Sequence, residues 1–234
     1  MRLFLVRHPA PLVAPGICYG RTDLLVEPTT LAVAAERLRA RLSLDPSPSS
    51  HPAAPSGRGG ADAHRTPGSP ARHPPRPLVE PTAGPFVGLC LTSPLRRCAD
   101  LAAAVCPDPR PDDRLLELDF GHWEGRRWDD IDRAELDRWA EDPERCAPPG
   151  GETWETVRER CRDLLDELRL HDRGPVLAVT HAGVVRAVLA LVLGVELAAT
   201  WHIRLSYGAL AIVDLGAGPA ADRLVGLDPG VDPS

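Results

Sequence analysis

Lysine, asparagine and glutamine are all missing from these 234 residues, methionine occurs once, and aromatic residues make up 4%. Every one of the 27 basic residues is therefore arginine. So uniform a choice reads as codon bias in a GC-rich genome, and arginine abundance alone says little about function. The net charge of −6 excludes the broadly basic surface with which nucleic-acid binders neutralise phosphates, leaving room only for a local basic pocket. No run approaches the roughly 20 apolar residues that span a bilayer. Met1-Arg2-Leu3 leads into a short strand-like stretch and not into the apolar region of a secretory signal. The expectation is a soluble, cytoplasmic protein with neither a membrane nor a nucleic-acid partner. The six cysteines (Cys18, Cys90, Cys98, Cys106, Cys146, Cys161) form no Cys-x-x-Cys pair and several fall on apolar faces. They read as reduced, mostly buried thiols, not as a zinc site or a disulfide framework.

What is present has a regular order. Residues 3–7 predict a buried strand, and Thr29 or Thr30 caps a helix with Leu31, Ala35, Leu38 and Leu42 on one face. Residues 45–85 hold eleven of the 26 prolines and read as a disordered or extended insertion, with His51, His64 and His73 solvated. "FVGLCLT" (86–92) predicts a second strand, and "SPLRRCADLAAAV" a helix with Ser93 as N-cap and Pro94 as its first residue. Thr153 caps a further helix whose stripe is Val157, Cys161, Leu164, Leu165 and Leu168. "PVLAVT" (175–180) is a third strand, the following helix ends at Gly194, and "YGALAIVDL" (207–215) predicts a last strand. Apolar strands alternating with amphipathic helices imply one α/β domain over 1–234, a three-layer α/β/α sandwich around a mostly parallel sheet.

In such sheets ligands bind beyond the carboxyl ends of the strands. Arg7 and His8 follow the first strand, Ser93 to Arg97 the second, and His181 with Gly183 the third. Two histidines and at least two arginines at one rim suit a reacting anion. Arginine forks and a helix N-terminus bind phosphoryl oxygens, and a neutral imidazole attacks phosphorus when its other nitrogen is held as a donor, usually to a backbone carbonyl. Taken singly, each residue also has a structural use; their coincidence at three strand ends points to chemistry.

Those residues resemble the histidine phosphatase superfamily, also called phosphoglycerate-mutase-like. The family's Arg-His-Gly appears as Arg7-His8-Pro9, its Ser-x-Leu-x-Arg motif as "SPLRRC", its glutamate motif as "LLELDFGHWEG" and its second histidine motif as "VTHAGVVRAVL". The resemblance implies His8 as the phosphorylated nucleophile, with Arg7, Arg97 and His181 holding the phosphoryl oxygens. It implies Glu117 as the acid that protonates the leaving alcohol and then activates water. No metal or other cofactor is implied, because arginines supply the positive charge. Arg97 and not Arg96 occupies the motif position; Asp119 and Glu124 are rival acids only by proximity. Trp123, Gly121 and Gly125 read as packing and turn residues, while His122 and His202 match no role.

The chain departs from the family at Pro9 and lacks the asparagine many mutases place after the first histidine. This weakens a phosphoglycerate mutase and leaves "PGICYGRTDLLV" closer to the subgroup resembling α-ribazole phosphatases. There Tyr19, Gly20 and Arg21 either border the leaving group or form a turn. The implied partner is a small phosphorylated metabolite, with α-ribazole 5′-phosphate of cobalamin synthesis as the candidate. The alternatives are a phosphoglycerate mutase and a non-catalytic phospho-ligand module. Oligomeric state is not legible.

Overall fold

A computed structural model describes residues 1–44, 88–170 and 174–231. The Pro-rich insertion expected at 45–85 lies outside the described residues, as do His51, His64 and His73.

Six strands form one mixed sheet: β1 (Arg2–Arg7), β2 (Leu89–Thr92), β3 (Arg110–Pro111), β4 (Val176–Thr180), β5 (Leu210–Asp214) and β6 (Arg223–Asp228). Their spatial order is β3-β2-β4-β1-β5-β6. The contacts from β3 through to β1 are parallel, and β5 and β6 are added antiparallel. Period-two alternation assigns each strand's side chains to opposite layers. Leu3 and Leu5 of β1 with Val176 and Ala178 of β4 meet α4 (Trp154–Arg169) and α5 (Ala182–Leu193). Phe4, Val6, Leu177 and Val179 face α1 (Pro28–Leu44) and α2 (Arg96–Val105). Both faces are therefore covered, giving the expected three-layer α/β/α sandwich. A smaller aromatic cluster of Trp123, Cys18 and Ile131, flanked by Phe120, Trp128 and Trp139, joins α3 (Arg133–Glu141) to the segment after Glu117. Trp123 is thus a packing residue, and Gly121 and Gly125 take positive φ in turns.

Local chemistry explains the helix ends. Thr153 Oγ1 accepts from the Thr156 amide and caps α4, and all five expected stripe residues are buried. Gly194 closes α5 in the left-handed region at φ 65°. Two helix starts differ from expectation. α1 begins at Pro28, because the Glu27 carboxylate accepts from the Thr30 amide and the Thr29 hydroxyl and so caps the helix itself. α2 begins at Arg96 with Leu95 as N-cap; the Ser93 hydroxyl lies 2.8 Å from His181 Nε2 and accepts only a long 3.4 Å bond from the Leu95 amide. Five cysteines are buried, Cys146 is half-buried, and all six are free thiols.

Candidate active site

The three strand ends named from the sequence are in register. Arg7 lies opposite Thr180, and Thr92 opposite Val179. The chain continues that register one step beyond the strands: the His8 amide donates to Thr180 O at 2.9 Å and the Ser93 amide to Val179 O at 2.9 Å. His8, Ser93 and His181 therefore stand side by side at one edge, and the His8 and His181 rings meet edge to face at 5.1 Å.

His8 is 2% exposed. Its Nδ1 lies 2.7 Å from Pro9 O, which can only accept, so Nδ1 carries the proton. Its Nε2 accepts a long bond from Arg97 Nε at 3.3 Å, so that nitrogen is unprotonated. Both contacts select one tautomer, with Nδ1 protonated and Nε2 bare. Burial first, then the Arg97 and Arg7 charges, hold the His8 pKa well below its ordinary value against a smaller opposing effect of Pro9 O. The imidazole is neutral at physiological pH. Pro9, where the family usually has glycine, leaves this carbonyl contact in place.

Arg97 is fully buried while Arg96 is exposed. Besides His8, Arg97 donates to Thr22 O at 2.7 Å and to Gly20 O. It thereby ties the loop after β1 to α2. Arg7 donates Nη1 to Leu205 O at 2.6 Å and stacks over Tyr207 with 4.1 Å to the ring centroid. Its Nε is buried with no hydrogen-bond partner. His181 caps α5 by backbone position only, and its Nε2 lies 2.8 Å from Ser93 Oγ with Cys98 Sγ at 3.5 Å. Burial, then the charges of His8 and the neighbouring arginines, also hold His181 well below its ordinary pKa.

Glu117 reaches this edge from the loop between β3 and α3. Its Oε2 accepts from the Gly183 amide at 3.2 Å and its Oε1 from the Leu118 amide at 3.1 Å. The α5 N-terminus thus spends a donor on this carboxylate. A Cβ at position 183 would lie 2.2 Å from Glu117 Oε1, so glycine is required for the approach. The nearby acids are otherwise engaged. Glu124 accepts from the Arg21 amide at 2.7 Å, the Phe120 amide at 3.2 Å, and both the amide and hydroxyl of Thr22. Burial alone would raise the Glu124 pKa, but the bonds from Thr22, Arg21 and Phe120 outweigh it and hold the group below its ordinary value. Asp119 accepts from the Gly121 amide in its own turn. His122 packs on Gly150, and His202 is exposed.

The Tyr19 to Arg21 stretch is placed as follows. Tyr19 Oη bonds Tyr207 Oη at 2.9 Å, and the Arg97 guanidinium lies over its ring at 5.4 Å. Gly20 gives its carbonyl to Arg97, and a Cβ there would sit 1.9 Å from Leu118 O. Arg21 Nη2 pairs with Glu152 at 3.1 Å. Sequence reasoning missed Tyr207, whose ring centroid is 5.8 Å from that of His8. It also missed Glu152 and Arg160, which are paired at 3.0 Å; Arg160 also reaches Glu117 O at 3.3 Å. Tyr207 had a readable signal: a strand added antiparallel brings its first residues to the edge where parallel strands end. Among the described residues no group of three or more His, Cys, Asp or Glu side chains could hold a metal ion.

The model of the histidine phosphatase superfamily (branch 1) matches residues 81–224, so the Arg7-His8 strand joins the matched part through the sheet. A bifunctional protein of Mycobacterium tuberculosis is 32% identical over 150 residues, 59% of this chain and 40% of that one. Phosphoserine phosphatase 1 of Hydrogenobacter thermophilus is 27% identical, covering 59% of this chain and 69% of its own. The adenosylcobalamin/alpha-ribazole phosphatase of Escherichia coli is 27% identical over 54% of this chain and 66% of its own. The chain thus spans two-fifths of the mycobacterial relative and about two-thirds of the other two. The crystal structure of the alpha-ribazole phosphatase from Shigella flexneri shares the fold over 100% of both chains, with a TM-score of 0.70 at 21% identity. With more than half of its length matched by the family model, the chain belongs to the histidine phosphatase superfamily, branch 1.

Proposed function

We propose that this protein is a phosphomonoesterase that works through a phosphohistidine on His8, with α-ribazole 5′-phosphate as the leading candidate substrate. The observation that carries the reading is the tautomer of His8: a buried, neutral ring with Nδ1–H fixed on Pro9 O and an unprotonated Nε2 held only by a long 3.3 Å bond from Arg97 Nε. Nε2 attacks phosphorus and the P–O ester bond breaks. Glu117 delivers a proton to the departing alkoxide, then takes one from the water that displaces His8 from phosphorus. Arg7 contributes the unpartnered Nε–H, and Arg97 and His181 border the same edge. These donors stabilise the charge that develops on the phosphoryl oxygens, the role metal ions play in other phosphoryl-transfer sites.

The substrate rests on the alpha-ribazole phosphatase names among relatives, and phosphoserine stands beside it for the same reason. The test is phosphate release from a panel of α-ribazole 5′-phosphate, phosphoserine, sugar phosphates and nucleotides, with acid-quenched protein assayed for phosphohistidine. His8→Ala is expected to abolish both release and the labile adduct. Undiminished release by that variant rejects the mechanism, and isomerisation of phosphoglycerate without net release makes the protein a mutase.

A further inference from the structure

A cavity of about 410 Å³ lies behind Tyr207, on the α1 side of the sheet. Its lining includes none of His8, Arg7, Arg97, His181 or Glu117. Val6, Ala34, Leu38 and Leu101 line it with apolar surface, and it extends past the half-exposed Val33. The volume falls in the range of sites that enclose small organic ligands. Two guanidiniums line it. Arg41 is satisfied, donating to Gly208 O at 2.8 Å and pairing with Asp228 at 2.7 Å. Arg37 is exposed and makes no ion pair among the described residues. An apolar chamber with one cation at its edge that is unpaired among the described residues matches a ligand with an apolar body and a single anionic head.

Tyr207 belongs to both compartments. It lines the cavity, stacks on the Arg7 guanidinium at 4.1 Å, lies 5.8 Å from the His8 ring and bonds Tyr19 Oη. We propose that this cavity is an effector site for an amphiphilic carboxylate of medium chain length, and that its occupancy changes phosphate affinity by pressing Tyr207 against Arg7. The binding stands without the catalytic reading. Only the coupling rests on Arg7 acting as a phosphate clamp.

The probe is decanoate below its micellar concentration, titrated calorimetrically into the full chain, with decanol and decylamine as controls. One saturable site is expected, weakened about tenfold or more by Arg37→Glu and abolished by Val33→Trp, which reaches into the chamber from an exposed helix position. Unchanged melting temperature certifies that both variants fold. Saturating decanoate is expected to shift the Kd for inorganic phosphate by at least about threefold and then to plateau, with phosphate shifting decanoate affinity by the same factor. Absence of saturable binding, indifference to both substitutions, or equal binding of decylamine overturns the site. A phosphate Kd that rises without limit means the two ligands compete for one space, and one that does not move means no coupling; either overturns the effector role. His8→Ala is expected to keep decanoate binding, so loss of turnover and loss of this site are distinguishable.

Discussion

Gly183→Ala tests how the proposed acid is positioned. The added methyl would lie 2.2 Å from Glu117 Oε1 and 2.6 Å from Trp154 Cη2. Trp154 is 4% exposed and locked in the core that α4 and α5 share, so it has nowhere to retreat. The carboxylate, held by the Gly183 and Leu118 amides at 3.2 and 3.1 Å, is the neighbour that must give. Misplacing a catalytic group by about 1 Å costs about 10²-fold in rate, and a general acid contributes about 10²–10⁴-fold where the leaving group is poor. Turnover of an alkyl phosphate should therefore fall about 10²-fold. Turnover of p-nitrophenyl phosphate, whose leaving group departs unprotonated, should fall by less than about fivefold. Overpacking of this kind costs about 1–3 kcal/mol, a drop in Tm of roughly 2–12 °C for a chain of this length. Steady-state phosphate release on the two substrates and a thermal melt provide the three numbers. Alkyl phosphate activity within about threefold of the parent, in a folded variant, would refute placement of Glu117 by the α5 N-terminus. Equal losses on both substrates would refute its role as acid.

Three further outcomes follow from named contacts. His8 and His181 have folded pKa values well below 6.5, so below that pH the unfolded chain binds protons the folded chain refuses, and stability falls as pH falls. Each histidine should remove about 1.4 kcal/mol by pH 5.5 relative to pH 8; urea melts of His8→Asn should lose about half of that combined dependence, and an unaltered slope would contradict the buried neutral pair. Gly20→Ala puts a methyl 1.9 Å from the backbone oxygen of Leu118 and should lower stability by about 3 kcal/mol or more, read as a lower urea midpoint. Glu124→Gln turns an amide NH₂ toward amide donors and should cost about 1–3 kcal/mol; alkyl and aryl phosphate turnover should fall together, and selective loss of the alkyl substrate would make Glu124 the acid.

Much of this site was legible because sheet topology converts strand ends into neighbours. The residues following three apolar runs, His8, Ser93 and His181, came together because β1, β2 and β4 are parallel and in register. Periodicity likewise exposed α4, whose stripe and Thr153 cap are set by local chemistry. What stayed hidden depends on contacts between distant segments. Ser93-Pro94 has the form of a helix start, yet the Ser93 hydroxyl is drawn to a histidine 88 residues away and the helix waits until Arg96. Arg21 sits in a stretch that suggested either a ligand contact or a turn, and no local spacing shows that its Nη2 pairs with Glu152, 131 residues on. Nor does any spacing announce that Glu27 caps α1 when two threonines beside it are better cap formers in isolation.

Arg97, fully buried, and Arg7, half-buried, do different work, and the difference lies in how many donors each has left. Arg97 commits three, to His8 Nε2, Thr22 O and Gly20 O, so its fork is fixed before any ligand arrives. It selects the His8 tautomer and anchors the loop beneath which Glu117 lies. Arg7 commits Nη1 to Leu205 O and leaves its Nε–H buried and unpaired. A buried donor without an acceptor costs about 1–3 kcal/mol, and an anion placed there recovers that free energy while gaining a charge-assisted bond. On the proposed reading, part of the affinity for a phosphoryl group would be stored as this unmet bond in the free protein. The same logic explains why both histidines are kept neutral. A protonated ring at either position would offer an anion more attraction, but at His8 it would remove the Nε2 lone pair on which the proposed attack depends, and burial first, then the adjacent arginine charges, oppose that protonation.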